Sequence, residues 1–267
     1  MAFRALSLAA CLGLAACSSP EEMTEKIEET RQKAATSPVA APAARDIAES
    51  EESELLSFGY AYPAAASAIA PLAAVLSADA KAQRAELDAA AREGQAAAKD
   101  ADFPYRPHSY EMTWKVVADT PKFLSLSGDF ATYSGGAHGM YGLRSLVWDK
   151  GAGRSLDGAA LFVSPAALDK ALGARLCDAL NAERANRRGE PVTVDAIDEF
   201  SRCISTAEAT VLLGSSGGGA FDRIGVWFGP YVAGPYAEGA YELDFPVDGA
   251  VMRAVRPVYR AAFAPAS

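Results

Sequence analysis

The sequence predicts an α+β protein in which an antiparallel meander sheet packs against helices, as one composite domain that follows a disordered tether. The apolar period changes from 3.6 to 2 between His108 and Leu146. The predicted elements also follow the order strand, helix, strands, helices, strands, which favours α+β over a parallel α/β fold. With 267 residues, of which 50% are hydrophobic, the chain is long enough to bury a substantial core.

The N-terminus has the pattern of a signal peptide, which we assign to residues 1–16. Arg4 is followed by an apolar run that is too short to span a bilayer. The run ends in LAAC, which resembles the lipobox of bacterial lipoproteins and implies acylation of Cys17, as with palmitate, and attachment to a membrane through the lipid. Ser18 after the cysteine fits the outer membrane of a Gram-negative periplasm better than the inner membrane. The alternative is an ordinary secretory signal that contains a chance cysteine.

Residues 17–53 are predicted to be a flexible tether behind the lipidated Cys17. The segment is rich in Glu, Ser, Ala and Pro and has almost no large apolar residues, so it cannot bury enough surface to fold alone. The folded part is predicted to consist of an N-terminal portion, residues 54–163, and a C-terminal portion, residues 164–267.

The N-terminal portion begins with a strand, ELLSFGYAY, that Pro63 ends. Residues 67–99 are Ala-rich with apolar residues at helical spacing, and Pro71 fits a first turn. One long helix, or two helices broken near residues 77–79, is predicted there.

Three strands are then predicted to form the meander. SYEMTWKVVAD and KFLSLSGDFATY alternate apolar and polar residues on either side of a turn at residues 120–122, and GLRSLVWD leads into a Gly-rich turn. The residues predicted to share a face within a strand are Tyr110, Met112, Trp114 and Val116 in the first, and Leu124, Leu126 and Phe130 in the second.

In the C-terminal portion, Ser164 and Pro165 supply the N-cap and first residue of a helix that runs to Gly189. Its predicted buried stripe repeats every fourth residue. VDAIDEFSRCIST suggests a second helix, and two strands are then predicted on either side of FGPYVAGPYAEG. The stripe consists of Leu168, Leu172, Leu176 and Leu180.

Two cysteines remain in the mature chain if Cys11 leaves with the signal peptide and Cys17 carries lipid. In an oxidising compartment the remaining pair, Cys177 and Cys203, is predicted to form a disulfide. Two buried free thiols are the alternative.

Composition limits the chemistry. With 25 Lys and Arg against 34 Asp and Glu, the formal charge of −9 argues against nucleic-acid binding and favours a basic partner. Only His108 and His138 could supply imidazole ligands, without metal-site spacing, so neither metal nor cofactor is predicted. Residues 214–218 match G-x-S-x-G, but both histidines precede Ser216, whereas the hydrolase triad places histidine after it. We therefore assign no catalytic residue and interpret this stretch as a glycine loop.

FATYSGGAHGMYG contains adjacent glycines before His138. We interpret the stretch as a turn between strands, with His138 as a contact residue near a binding face. Tyr231 and Tyr236 each follow a proline, in stiff segments that either expose the rings as binding anchors or bury them at a sheet corner. The residues predicted to contact a partner are His138, Tyr133, Tyr231 and Tyr236.

Two stretches also resemble known domains. SYEMTWKVVADTPKFLSLSGDFATYSGGAHG resembles the domain of unknown function at the start of PdaC-type peptidoglycan deacetylases, and VWFGPYVAGPYAEGAYELDFP resembles the C-terminal domain of RsiV-type anti-sigma factors, which receives lysozyme. The resemblance implies an α+β envelope module that binds rather than catalyses. Its implied partner is a lysozyme-like protein or a peptidoglycan fragment. An envelope hydrolase that uses Ser216 or His138 is one alternative, and a purely structural envelope lipoprotein is another.

Overall fold

Nine strands in two sheets, together with five α-helices, form the fold in the part of the chain that the computed structural model describes, residues 44–194 and 198–266. The predicted signal peptide, Cys17 and the tether as far as residue 43 lie outside these residues. No helix within the described ranges has the length and apolar character needed to cross a membrane. The mixed α+β class is confirmed.

The first sheet has six strands in sequential order. The pairing of β2 with β3 is parallel, because the chain between them crosses over through two helices, α1 and α2. The other neighbours are antiparallel, so the predicted meander is confirmed from β3 onward. The elements are β1 (Ile47–Glu52), β2 (Leu56–Tyr62), α1 (Ala64–Ser67), α2 (Ala70–Asp100), β3 (His108–Asp119), β4 (Phe123–Tyr133), β5 (Met140–Asp149) and β6 (Arg154–Leu156).

The tether was predicted to extend to Ser53, and this limit is wrong. Strand β1 pairs with β2 from Ile47 opposite Tyr62 to Glu52 opposite Ser57. It is an edge strand held by backbone hydrogen bonds, and its side chains are exposed except for the half-buried Ile47. A strand in this position needs no apolar alternation, so its composition resembles that of a tether.

The strand predictions also required one correction, at Val116. Tyr110, Met112 and Trp114 are buried as predicted, but Val116 is 42% exposed. The pairing with β4 shifts register between Val116 and Ala118, and such a bulge exchanges the faces of the residues that follow it. Ala118 is buried, but in the core on the opposite face of the sheet from Met112 and Trp114.

The helix predicted from Ser164 to Gly189 is two helices, α3 (Pro165–Leu172) and α4 (Ala174–Arg188). The Ser164 side chain caps the first by accepting the backbone N–H of Ala167 at 3.1 Å. Gly173 separates them because its φ of 59° lies outside the helical region. The leucine stripe is confirmed, since all four of its residues are buried.

The second helix was predicted over residues 194–206, of which 195–197 lie outside the described residues. No helix forms between residues 198 and 205, and Thr206 begins a short 3-10 helix, Thr206–Glu208. The Asp198 carboxylate accepts the N–H of Phe200 at 3.1 Å and the hydroxyl of Ser201 at 2.7 Å, which favours a turn. The segment is nevertheless joined to α4, because the predicted disulfide between Cys177 and Cys203 is present, with the two Cα atoms 5.2 Å apart.

A second, three-stranded antiparallel sheet follows, and its first strand was not predicted. The two sheets share a core that includes α3 to α5, whereas α2 packs on the opposite face of the first sheet. Adjacent residues of one strand are therefore buried in different cores. Phe123 lies in the core between the two sheets, and Leu124 lies in the core beneath α2. The remaining elements are β7 (Thr210–Gly214), β8 (Arg223–Phe228), β9 (Tyr241–Pro246) and α5 (Gly249–Ala254).

Candidate functional site

Two loops that are distant in sequence meet on one surface. The first, residues 134–139, joins β4 to β5, and the second, residues 229–240, joins β8 to β9. The ring of His138 stacks on that of Tyr236, with centroids 4.1 Å apart and planes inclined by 26°. The Tyr231 ring lies 5.6 Å from the Tyr236 ring, and its hydroxyl is 3.5 Å from His138 Nε2. Three of the four residues predicted to contact a partner are thus brought together.

The β4–β5 loop has its shape because of its glycines. Gly135 has a φ of 86°, and a Cβ on Gly139 would lie 2.7 Å from the carbonyl oxygen of Thr132. His138 Nδ1 lies 2.9 Å from the Gly139 carbonyl, which can only accept, so Nδ1 carries the proton. The turn predicted for this stretch is therefore present, and it directs the imidazole toward the second loop.

Tyr141 joins these rings and was not predicted. Its ring centroid is 6.2 Å from that of Tyr236, and its hydroxyl accepts the backbone N–H of Ala240 at 3.0 Å. The Tyr236 hydroxyl donates to the Gly139 carbonyl at 2.8 Å, so the β8–β9 loop donates hydrogen bonds both to the β4–β5 loop and to β5. We call the four rings, His138, Tyr141, Tyr231 and Tyr236, the aromatic cluster.

The aromatic cluster is open to solvent. Tyr231 is 46% exposed and Tyr141 37% exposed, His138 is exposed, and Tyr236 is half-buried beneath them. Each of the two predicted alternatives therefore applies to one tyrosine. Tyr236 packs at the corner of the sheet, and Tyr231 exposes its ring to solvent. Tyr231 also has a φ of 68°, a left-handed backbone that non-glycine residues rarely adopt and that often accompanies functional sites.

Three arginines on one face of α4 hold the β8–β9 loop. Arg184 is fully buried, and its Nε donates to the Ala233 carbonyl at 2.9 Å. Arg187 donates to the carbonyls of Glu238 and Ala240 at 2.5 and 2.7 Å. Arg188 binds the Glu238 carboxylate with two nitrogens, at 2.9 and 3.0 Å. The rings of Tyr231 and Tyr236 thus lie on a loop that α4 holds in place.

Electrostatics strengthen this attachment. Burial opposes ionisation of Glu238, but the hydrogen bonds from Arg188 and Tyr241 outweigh it and leave the pKa of the carboxyl below its usual value. Burial and the neighbouring Glu238 raise the pKa of Tyr241 to about 12. The carboxylate is therefore charged and the phenol neutral at physiological pH, as their hydrogen bond requires.

Tyr133, the fourth predicted contact residue, does not join the aromatic cluster. Its hydroxyl donates to the Gly136 carbonyl at 3.0 Å and accepts from Arg106 at 3.2 Å. It instead lines a cavity that His108 and Ser134 also line.

The other chemistry considered from the sequence finds little geometric support. Ser216 lies in the connection between β7 and β8, and no helix follows it there as a nucleophile elbow requires. Its hydroxyl donates to the Asp222 carboxylate, which also accepts the Ser216 N–H at 2.9 Å. Across residues 44–194 and 198–266, no group of three or more His, Cys, Asp or Glu side chains is placed to hold a metal ion.

Residues 49–141 match the family model described as deacetylase PdaC, so the predicted resemblance of this part of the chain to PdaC is confirmed. The matched segment begins within β1 and includes the β4–β5 loop. No curated protein matches the chain.

Two solved structures resemble the fold. A member of the DUF3298 family from Bacteroides fragilis NCTC 9343 is 19% identical, with a TM-score of 0.44 over 75% of this chain and 88% of that chain. A DUF3298 family protein from Pseudomonas aeruginosa PAO1 is 16% identical, with a TM-score of 0.44 over 85% of this chain and 99% of that chain.

Proposed function

We propose that the protein is a non-catalytic binding module of the cell envelope and that its aromatic cluster docks a lysozyme-like protein or, in its place, a peptidoglycan fragment. The observation that carries the proposal is the meeting of His138, Tyr231 and Tyr236 on one exposed surface. Exposed tyrosines in rigid surroundings are favoured binding anchors, because ordering them on association costs little entropy.

The contacts beneath the cluster support this function. The loop that carries Tyr231 and Tyr236 is held at three carbonyls and one carboxylate by arginines of α4. Such a surface is organised before the partner arrives, so little binding free energy is spent on ordering it. The formal charge of −9 favours association with a basic protein.

Binding to the immobilised protein tests the proposal. Lysozyme and soluble muropeptides are passed over it at low salt, and the affinities of Tyr231→Ala and Tyr236→Ala are compared with that of the unmodified chain. Truncating an interface anchor typically weakens binding by 2 kcal/mol or more, which is about 30-fold. We expect at least that loss for Tyr231→Ala.

The matched control is Val258→Ala, which removes apolar surface from a residue that is 77% exposed and lies outside the aromatic cluster. Its affinity is expected to equal that of the unmodified chain. Retention of neither lysozyme nor muropeptides would refute the proposal, as would equal losses in Tyr231→Ala and Val258→Ala.

Membrane attachment through Cys17 belongs to the same proposal. The lipobox-like LAAC supports it, because the acylated thiol is the anchoring group in bacterial lipoproteins. Labelled palmitate is expected to enter the unmodified chain and not Cys17→Ala, and the labelled protein is expected in the outer-membrane fraction. Equal labelling of the two chains would contradict the anchor.

A further inference from the structure

A groove runs between helix α2 and the start of the β4–β5 loop. It comprises two adjoining cavities of about 450 and 670 Å³ that share His108 and Ser134 in their linings. Lining residues on α2 extend from Gln83 to Ala98, a distance of about 22 Å at the helical rise. We call it the helix–loop groove. It is elongated, and Tyr133 lies along it rather than with the other predicted contact residues.

His108 lies where the two cavities meet. It is only 7% exposed, yet its Nδ1 has no hydrogen-bond partner among the described residues. A buried polar atom left unpaired costs about 1 to 3 kcal/mol, so it calls for an explanation. The ring is held between Tyr105, whose centroid is 5.6 Å away, and Gly94, where a Cβ would lie 2.7 Å from Nε2. An imidazole thus has room at the groove only because residue 94 is glycine.

Arg106 provides charge at the same groove. No carboxylate pairs with it within residues 44–194 and 198–266, and its one hydrogen bond there, to the Tyr133 hydroxyl, spans 3.2 Å. Arg144, in the adjoining cavity, is by contrast paired with Asp79 at 2.8 Å. In an acidic chain, a guanidinium without a carboxylate at the edge of a cavity is suited to bind an anionic ligand.

Apart from the Glu86 carboxylate, which lies in the same cavity as Arg144, the remaining lining combines aromatic rings with uncharged polar groups. Phe130 and Tyr133 contribute rings, and Gln83, Thr132 and Ser134 contribute an amide and hydroxyls. A sugar ring has the same two characters, with C–H groups on its faces and hydroxyls at its edges. Ligand sites of this kind are apolar clefts with a few polar groups that set orientation.

We propose that the helix–loop groove binds a saccharide that carries a carboxylate. Arg106 pairs with the carboxylate, and His108 and the hydroxyls of the lining hydrogen-bond the sugar. The site is separate from the aromatic cluster, since none of the four rings of the cluster lines either cavity. It therefore does not depend on the partner proposed for that cluster.

Calorimetric titration of the full chain with trigalacturonate at low salt tests this proposal. Saturable binding is expected, with cellotriose, which lacks carboxylates, and triglutamate, which lacks sugar rings, each at least 10-fold weaker. The variant Arg106→Gln removes the charge. It is expected to weaken trigalacturonate binding about 10- to 100-fold, which is the usual contribution of a hydrogen bond to a charged group. Ala90→Phe, which places a ring at an exposed residue lining the groove, is expected to reduce binding by a similar factor.

Ala85→Phe is the matched control, because Ala85 is exposed on the same helix and lines neither cavity. It should bind trigalacturonate as the unmodified chain does. Each variant is first shown to melt at the temperature of the unmodified chain. Absence of binding, equal affinity for cellotriose or triglutamate, or unchanged affinity in both Arg106→Gln and Ala90→Phe would overturn the proposal.

Discussion

Three arginines of α4 lie on one face of the helix, because Arg187 and Arg188 follow Arg184 by three and four residues. Arg184 is the buried member, and besides the Ala233 carbonyl it donates to the Arg202 carbonyl at 2.8 Å. Burial lowers the pKa of its guanidinium, which remains protonated because that pKa is ordinarily so high. A single side chain thus connects α4 with the β8–β9 loop and with the segment that carries Cys203.

Replacing Arg184 with methionine keeps most of the volume and removes the donors. Two buried or half-buried carbonyls would lose their partner, so we expect the free energy of unfolding to fall by about 2 to 4 kcal/mol. Urea denaturation measures the change. The control is Arg92→Met. The Arg92 side chain is 68% exposed and, among the described residues, pairs only with Asp88, so a loss of less than about 0.5 kcal/mol is expected. Equal losses in the two variants would contradict this role of Arg184.

Glu238 makes the stability of the loop depend on pH. Its pKa is lower in the folded chain than in the unfolded chain, so its contribution is complete above the unfolded value and is lost as pH falls through the folded one. The unfolding free energy should therefore drop more steeply below about pH 4.5 in the unmodified chain than in Glu238→Gln. Urea midpoints at pH 7, 5, 4 and 3 measure this. A constant difference between the two chains down to pH 3 would count against it.

At this scale the sequence is informative about the exposed rings and not about what supports them. Tyr231 and Tyr236 follow prolines, and His138 follows glycines, so turn chemistry marks them. Tyr141 lies in the same glycine-rich stretch, two residues after Gly139, so the same pattern could have identified it. Arg184 has no such mark, because an arginine in an amphipathic helix is ordinarily exposed.

Among the elements, the segment from residue 198 to residue 205 is the most dependent on side-chain contacts. It has no regular secondary structure, and the disulfide joins Cys203 to α4 across a sequence separation of 26 residues. Its carbonyls at Phe200 and Arg202 accept from Arg188 and Arg184. The disulfide thus keeps in place two of the groups that orient the arginines beneath the aromatic cluster.

The variant Cys177→Ser/Cys203→Ser is expected to lose about 2 to 4 kcal/mol of unfolding free energy, the usual effect of a cross-link that closes a loop of this size. Chemical denaturation with and without a thiol reductant measures it. Reductant should lower the midpoint of the unmodified chain and leave that of the variant unchanged. An unmodified chain that is indifferent to reductant would show that the bridge is absent in solution.

The errors at the element scale have local causes. Strand β1 was not predicted because nearly all side chains of an edge strand can be exposed, which leaves no apolar alternation. Strand β7 was not predicted because it has only five residues, TVLLG, and leads directly into a Gly-rich loop. The break at Gly173 was missed because the leucine stripe continues across it in register. Long α2 and the strands from β2 to β5 were predictable, since their period persists over many residues.

At the scale of the whole molecule, the pairing of the strands could be predicted from the sequence only in part. The order of elements predicts the meander, but the parallel pairing of β2 with β3 and the division into two sheets depend on contacts between distant residues. The same division brings the β4–β5 and β8–β9 loops together. The candidate site could therefore be predicted residue by residue but not as one surface.

Hydrogen–deuterium exchange with and without a saturating concentration of lysozyme tests the central claim, that the two loops form one binding surface. Residues 134–139 and 229–240 should both exchange more slowly in the complex, because contact excludes water from their backbones. The α5 helix, Gly249–Ala254, lies outside the proposed surface and should be unchanged. Unchanged exchange in both loops, or slowing confined to other elements, would contradict the claim.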